Sequence, residues 1–322
     1  MRATRFITML IVLLLVTACS LPRIGLFGDA ADPLSEYTLE GSGTERILLI
    51  SVQGTISNMQ QKGLLRSSPS MVQQVVAQLK KAEQDGRIKA ILFKVNSPGG
   101  TIVASDILYH EISAYRARTG AKIVVSMMDL AASGAYYLSL PADTIMAHPT
   151  TLTGSIGVIF LRPKVRGLMD KIGLGVEVIT FGKNKDMGSP FRDSTDEEQG
   201  IMQKVVDGYG ERFVRLVQKH RNVQEPAMRE ISTARVLTAD EAVKLGLVDR
   251  IGYLSDAVQE AKRLARLGDD ARLVVYRRAN VPDDNYYSAT GAAAEDVPLS
   301  VINIALPESF NLHAGFYYLW PG

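Results

Sequence analysis

Ile123-Val124-Val125-Ser126-Met127-Met128, running into Asp129-Leu130-Ala131-Ala132-Ser133-Gly134-Ala135-Tyr136-Tyr137, is the stretch on which the fold of this chain turns. Its first six residues are apolar and rich in β-branched side chains, the pattern of a buried strand. Small residues come next, then an aromatic pair. A strand giving way to Ala-Ala-Ser-Gly-Ala places one hydroxyl at a helix start, where unpaired N–H groups favour developing negative charge. Small neighbours let a substrate carbonyl approach. The same residues also fit a tight turn whose serine caps a helix, so this stretch alone does not decide function.

Three further stretches bear on it. Ile88-Lys89-Ala90-Ile91-Leu92-Phe93-Lys94-Val95 reads as a strand ending in Asn96-Ser97-Pro98-Gly99-Gly100, with a helical pattern from Thr101 to Arg118 behind it. Two glycines at a strand end allow close backbone approach. Thr151-Leu152-Thr153-Gly154-Ser155-Ile156-Gly157 is a second hydroxylic turn ahead of the apolar Ile156–Phe160, and Phe181-Gly182-Lys183-Asn184-Lys185-Asp186 comes after a strand pattern over Val176–Thr180.

Strand and helix patterns alternate along the chain. Arg46–Val52 and Thr144–Ala147 read as strands, Met71–Leu79 and Thr195–Arg221 as helices, the latter opened by Asp196, Glu197 and Glu198. Val236 to Gly246 reads as a capped helix, Leu247–Ile251 as strand-like, Ser255–Leu267 as a helix and Arg272–Tyr276 as a strand. Such alternation predicts an α/β fold, a mostly parallel sheet with crossover helices. Functional groups of such sheets gather beyond the strand C-termini. Gly99-Gly100 and Ser133 share that edge.

The 322 residues suffice for one sizeable core, and 22% charged with 46% hydrophobic residues is an ordinary globular balance. A net charge of +2 gives no reason to invoke nucleic acid. One cysteine and four scattered histidines (His110, His148, His220, His313) offer no zinc spacing, and no cofactor is expected. Residues 1–19 read as an export signal: Arg2 and Arg5 precede the apolar Phe6–Val16, which is shorter than the roughly 20 residues of a membrane span. Residues 20–43, rich in Gly, Pro, Asp and Ser, read as a tether to a domain over 44–268. Residues 269–322 add a strand, an arm over Pro282–Pro298 without core periodicity, and the aromatic Phe316-Tyr317-Tyr318-Leu319-Trp320. Such a tail docks on its own domain or on a neighbouring subunit.

A serine nucleophile needs a base and donors for the oxyanion. None of the four histidines sits in a triad-like context. A lysine serves if burial depresses its pKa from about 10.4 toward neutrality. Lys185 and Lys183 both fit, and chemistry alone does not separate them.

Together, Asn96–Gly100, Ala131–Tyr137, Leu152–Val158 and Gly182–Asp186 with Ser189-Pro190 resemble the short bacterial form of the SppA (signal peptide peptidase, protease IV) family, over about residues 45–265. The resemblance implies the fold shared by ClpP and the crotonases. It makes Ser133 the nucleophile, Lys185 the general base and Ser155 the hydroxyl that orients the lysine amine. The Gly100 and Gly134 N–H groups become the oxyanion hole, and Ser97 is no nucleophile. It further implies hydrophobic peptide substrates such as released signal peptides, an alkaline-shifted rate, and a ring-like homo-oligomer whose active sites lie between subunits. Val16-Thr17-Ala18-Cys19 resembles a lipobox, implying lipid attachment at Cys19 and a membrane-anchored domain outside the cytoplasm, with Ser20 favouring outward sorting. Ala135, Ala239 and Asp240 depart from the family's glycine-rich wording. Two alternatives remain: a non-catalytic envelope scaffold and a crotonase-type acyl-CoA enzyme.

Overall fold

The computed structural model describes residues 33–62, 67–278, 281, 284–288 and 314–322. Its strands begin with β1 (Ser35–Glu40), β2 (Arg46–Gln53), the short pair β3 (Gln61–Lys62) and β4 (Ser67–Ser68), β5 (Ile88–Ser97), β6 (Gly99–Thr101) and β7 (Lys122–Ala132). They continue with β8 (Thr144–Ala147), β9 (Leu152–Gly154), β10 (Ile159–Leu161), β11 (Val236–Thr238), β12 (Arg250–Ile251), β13 (Arg272–Arg277) and β14 (Gly315–Leu319). The helices are α1 (Met71–Glu83), α2 (Ile102–Thr119), α3 (Gly134–Ser139), α4 (Arg166–Ile172), α5 (Asp196–His220), α6 (Glu225–Ile231), α7 (Ala239–Lys244) and α8 (Leu254–Ala265).

The main sheet runs β1-β13-β2-β5-β7-β8-β12, with β9 against the far end of β7 and β11 beyond β9. Its central pairings are parallel; β1–β13 and β11–β9 are antiparallel. Because side chains alternate along a strand, the central strands feed two cores. Leu48, Ile50, Ile91, Phe93, Ile123 and Val125 pack toward α1 and α2. Ile47, Leu49, Ala90, Leu92 and Val124 pack against Leu254, Ala257, Val258 and Ala261 of α8. A sheet covered on both faces explains why these strands read as continuous apolar runs.

Local chemistry sets the helix boundaries. Ser70 with Gln73 and Thr195 with Glu198 form capping boxes at α1 and α5, and α2 stops at Gly120 in a left-handed conformation. Tyr318, from the far end of the chain, closes the first core over Tyr137 and Phe213, so the aromatic tail docks on its own domain.

Four segments depart from the sequence reading. Val176–Thr180 forms no strand; it pairs with no strand among the described residues and stays exposed, Ile179 at 92%. Ser35–Glu40, expected within a tether, instead pairs with β13 as the edge of the sheet. Val236–Thr238 is a strand against β9 before α7 begins, because its main chain completes the pairing that β9 leaves open. Within Ile156–Phe160 only the end is strand: β10 starts at Ile159. Residues 1–32, with Cys19 and the export-signal reading, lie outside the described residues, as does His313. Among the described residues no helix is long and apolar enough to cross a membrane.

Candidate active site

The C-terminal ends of β5 and β7 are pulled out of simple register. Val95 pairs with Met127, but Ser97 pairs with Ala131, so β7 spends two more residues than β5 on the same advance. Asn96 takes up the slack: its Oδ1 accepts the Leu130 N–H (3.1 Å) and its amide donates to Asp129 (3.0 Å). Thr151 Oγ1 donates to the Met127 and Met128 carbonyls at 3.0 and 2.6 Å. A bulge of this kind bends a strand and re-aims the residues at its end. In β7 that end delivers Ser133.

Ser133 sits between β7 and α3 at φ 54°, ψ −115°, a left-handed conformation costing a non-glycine residue on the order of 1–3 kcal/mol. It is held from both sides: its N–H donates to the Gly154 carbonyl (2.8 Å) and its carbonyl accepts from Tyr137 (2.9 Å). Its hydroxyl is buried and has no hydrogen-bond partner among the described residues. A buried hydroxyl left unpaired typically costs about 1–3 kcal/mol. Strain and an unmet hydroxyl thus coincide at one residue.

The glycines around it are there for want of space. A Cβ on Gly100 would lie 1.9 Å from the Ile56 carbonyl oxygen, and one on Gly134 would lie 2.4 Å from Ser105 Oγ and 3.2 Å from the Gly100 nitrogen. A Cβ on Gly99 (φ 100°) would lie 2.7 Å from the Gly134 nitrogen. The Gly100 and Gly134 backbones therefore lie close together next to Ser133, and Gly134, first in its helix, has no intrahelical acceptor for its N–H. Ser97 shapes this loop: its Oγ accepts the Gly99 N–H at 3.1 Å.

The pairing of Ala132 with Gly154 in parallel strands carries Ser155 alongside Ser133, one strand spacing away. Ser155 is also buried and left-handed (φ 50°), its N–H fixed on the Arg235 carbonyl at 2.9 Å.

Lys185 is elsewhere. Its side chain is exposed and does not reach the Ser133 hydroxyl, which has no partner among the described residues. The backbone around it is nonetheless fixed. Arg192 donates to both Asp186 oxygens (2.7 and 2.8 Å) and to Glu198 (2.9 Å), the glutamate of the α5 capping box. The Arg192 hydrogen bonds hold both carboxyls below the usual carboxylate range, and in Glu198 the Thr195 N–H adds to the effect. Lys183, the competing lysine, is ion-paired with Glu197. The histidines lie apart: His220 bonds the Tyr109 hydroxyl (2.8 Å), His148 bonds Thr150 (2.9 Å), and His110 is exposed.

Comparison with known proteins bears on this arrangement. Residues 116–268 match Peptidase family S49 and residues 65–153 match Clp protease. A protein of Enterococcus faecium named as a signal peptide peptidase SppA is 35% identical over 77% of this chain and 72% of its own length. The chain belongs to peptidase family S49. Further S49 relatives include the chloroplastic serine protease SPPA of Arabidopsis thaliana, 33% identical over 70% of this chain, and Protease 4 of Salmonella typhi, 37% identical over 59%. The chain spans only 33% and 31% of those two proteins. The structure of the 1510-N membrane-bound stomatin-specific protease overlays with a TM-score of 0.46 at 14% identity, covering 77% of this chain and 97% of that one. As an S49 member the chain is a serine peptidase with a ClpP/crotonase-like fold.

Sequence reading missed the Asn96 brace and the Arg192 clamp. Neither has a local pattern: Asn96 reaches across strands to residues 33 and 34 positions away, and Arg192 joins a loop to a helix start. A lone arginine before an acidic helix opening was the one available signal for the clamp.

Proposed function

We propose that this S49 peptidase is an envelope endopeptidase with a Ser133–Lys185 dyad that degrades hydrophobic peptides such as released signal peptides. The observation that carries the dyad reading is the buried Ser133 hydroxyl, without a partner among the described residues, beside two closely packed glycine backbones. Neutral Lys185 takes the hydroxyl proton as Oγ attacks the peptide carbonyl. The Gly100 and Gly134 N–H groups hold the resulting oxyanion, a contribution of about 3–4 kcal/mol for a well-placed donor. The ammonium then protonates the leaving amine, and the neutral lysine activates water against the acyl-enzyme. Ser155, next to Ser133, accepts from the lysine amine and orients it.

The lysine comes from a neighbouring copy in a ring. Support lies in the segment that carries it: Leu168, Ile172, Leu174, Ile179 and Phe181 are exposed, Phe181 fully, along an arm anchored behind by Arg192. Apolar surface of this extent calls for a covering partner, and an arm reaching head-to-tail onto the next subunit closes as a ring. Cys19 supplies the lipid anchor that keeps the domain at the membrane, outside the cytoplasm. The substrate class rests on the relatives named as signal peptide peptidases.

A fluorophosphonate probe tests the reading. Labelling is expected on Ser133, absent in Ser133→Ala and strongly reduced in Lys185→Ala. Normal labelling of the Lys185→Ala protein removes the lysine from the mechanism.

A further inference from the structure

The two glycines beside Ser133 belong to the starts of different helices. Gly100 immediately precedes Thr101, the N-cap of α2, and Gly134 is the first residue of α3. Donors that share one oxyanion must each lie about 2.7–3.1 Å from it, so the placement of one helix start against the other matters to within a fraction of an ångström. α3 has only six residues, too few to hold a direction by its own hydrogen bonds. What its side chains touch must aim it.

Tyr137, one turn after Ser133, does this from both ends. Its N–H donates to the Ser133 carbonyl at 2.9 Å, and the hydroxyl of its buried side chain donates to Asp106 Oδ1 on α2 at 2.6 Å. Arg212 of α5 completes a triangle: Nε donates to the Tyr137 hydroxyl at 3.2 Å and Nη2 to the same Asp106 oxygen at 2.6 Å. The helix after Gly100, the helix after Ser133 and the long α5 are thus pinned at one phenol. Burial, and after it the Asp106 carboxylate, holds that phenol far above its ordinary pKa near 10, so it stays a donor in the range where a neutral lysine works. Burial opposes the charge on Asp106, but hydrogen bonds from Arg212 and Tyr137 outweigh it and keep the carboxyl below its usual range. The Asp106 and Arg212 side chains are 38% and 48% exposed. An ion pair so exposed adds little to stability; what it supplies is a fixed acceptor that leaves the buried phenol one direction to point.

We infer that Asp106 and Arg212 are positioning residues for the peptidase reaction: through the Tyr137 hydroxyl they fix α3 against α2, and with it the spacing of the Gly100 and Gly134 N–H groups around the oxyanion. This rests on the reading of Ser133 as nucleophile and of the two glycines as donors.

Hydrolysis of a fluorogenic hydrophobic peptide by the full chain tests it, beside inhibition by a hydrophobic peptide aldehyde, whose adduct with Ser133 carries the oxyanion that bound substrate lacks. Tyr137→Phe keeps the ring and deletes the tether. It is expected to lower kcat about tenfold and raise the aldehyde Ki about tenfold, with KM within about twofold of wild type. Asp106→Ala is expected to match it, and the double variant to be no slower than either single one, because both remove the same tether. Asp106→Asn still accepts from the phenol and is expected to stay within about threefold of wild type. Asp106→Ala alters a partly exposed side chain and carries the test if Tyr137→Phe does not fold. Unchanged kcat and aldehyde Ki in the folded variants, whatever their Tm, overturn the inference and leave the peptidase reading standing, and so does Asp106→Asn as slow as Asp106→Ala. Wild-type hydrolysis by Ser133→Ala removes the reading of Ser133 and this inference with it.

Discussion

Mixing two inactive subunits distinguishes a site built within one chain from one built between chains. Each chain carries one Ser133 and one Lys185, and the Ser133 hydroxyl meets no partner among the described residues of its own chain. In a ring assembled at random from equal amounts of Ser133→Ala and Lys185→Ala subunits, a site spanning two neighbours draws an intact serine half the time and an intact lysine half the time. About a quarter of the sites then regain both groups, since each heterologous contact samples its two subunits independently. A site within one chain regains none, because every subunit lacks one of the two. The reciprocal mixture, wild type with the Ser133→Ala/Lys185→Ala double variant, expects about a quarter of wild-type activity for sites between chains and about a half for sites within them. The assay is co-expression with two affinity tags, tandem purification, and hydrolysis of a fluorogenic hydrophobic peptide per mole of subunit. Zero activity in the first mixture with half activity in the second refutes the shared site.

Three smaller perturbations test the surroundings. Gly100→Ala forces a methyl to within 1.9 Å of the Ile56 carbonyl, so the loop must move; we expect a loss of about 1–3 kcal/mol in urea unfolding and a kcat about a hundredfold lower, and an unchanged kcat means that this amide is not an oxyanion donor. Arg192→Leu releases Asp186 and Glu198 from their shared guanidinium, which should lower Tm and reduce kcat about tenfold with little change in KM; unchanged kcat removes the arm-positioning role. Lys94, nearly buried on β5, donates to the Tyr286 and Ser288 carbonyls (3.1 and 2.8 Å), and burial pulls its pKa down from 10.5 to about 8. The folded state therefore releases this proton first, and wild type gains stability relative to Lys94→Met as pH rises above about 8, by up to about 3 kcal/mol as it nears 10.5. Chemical unfolding of both proteins at pH 7 and 10 measures the gap, and a gap independent of pH contradicts the burial argument.

What the sequence made legible was whatever is settled locally or by burial. β5 and β7 announced themselves because both faces of the sheet are covered. α5 announced itself through Thr195 and the three acids after it. Ser133 stood out because few uses exist for Ala-Ala-Ser-Gly-Ala after a buried strand. The rest depends on partners distant in sequence. Nothing in Ser35–Glu40 says that its edge is taken by β13, more than 230 residues on. Val176–Thr180 carries a strand's composition but joins no strand among the described residues, since composition prescribes only that a segment fits a sheet. The aromatic tail was recognisable as sticky, but its seat between β6 and β10 is fixed by a register that only the folded chain defines.

The same dependence on distant partners explains how Ser133 keeps its conformation. A left-handed serine with an unpaired buried hydroxyl relaxes unless its neighbours forbid it. Here the Gly154 carbonyl fixes its N–H, α3 fixes its carbonyl, and the Asn96 brace fixes the strand that delivers it. Each hold comes from a different element, so no single side-chain adjustment releases the residue. Relaxing it means breaking the end of the sheet, where Ile56, Ala131, Ala132 and Tyr136 are all fully buried. The core thus supports at Ser133 a geometry that the serine alone disfavours.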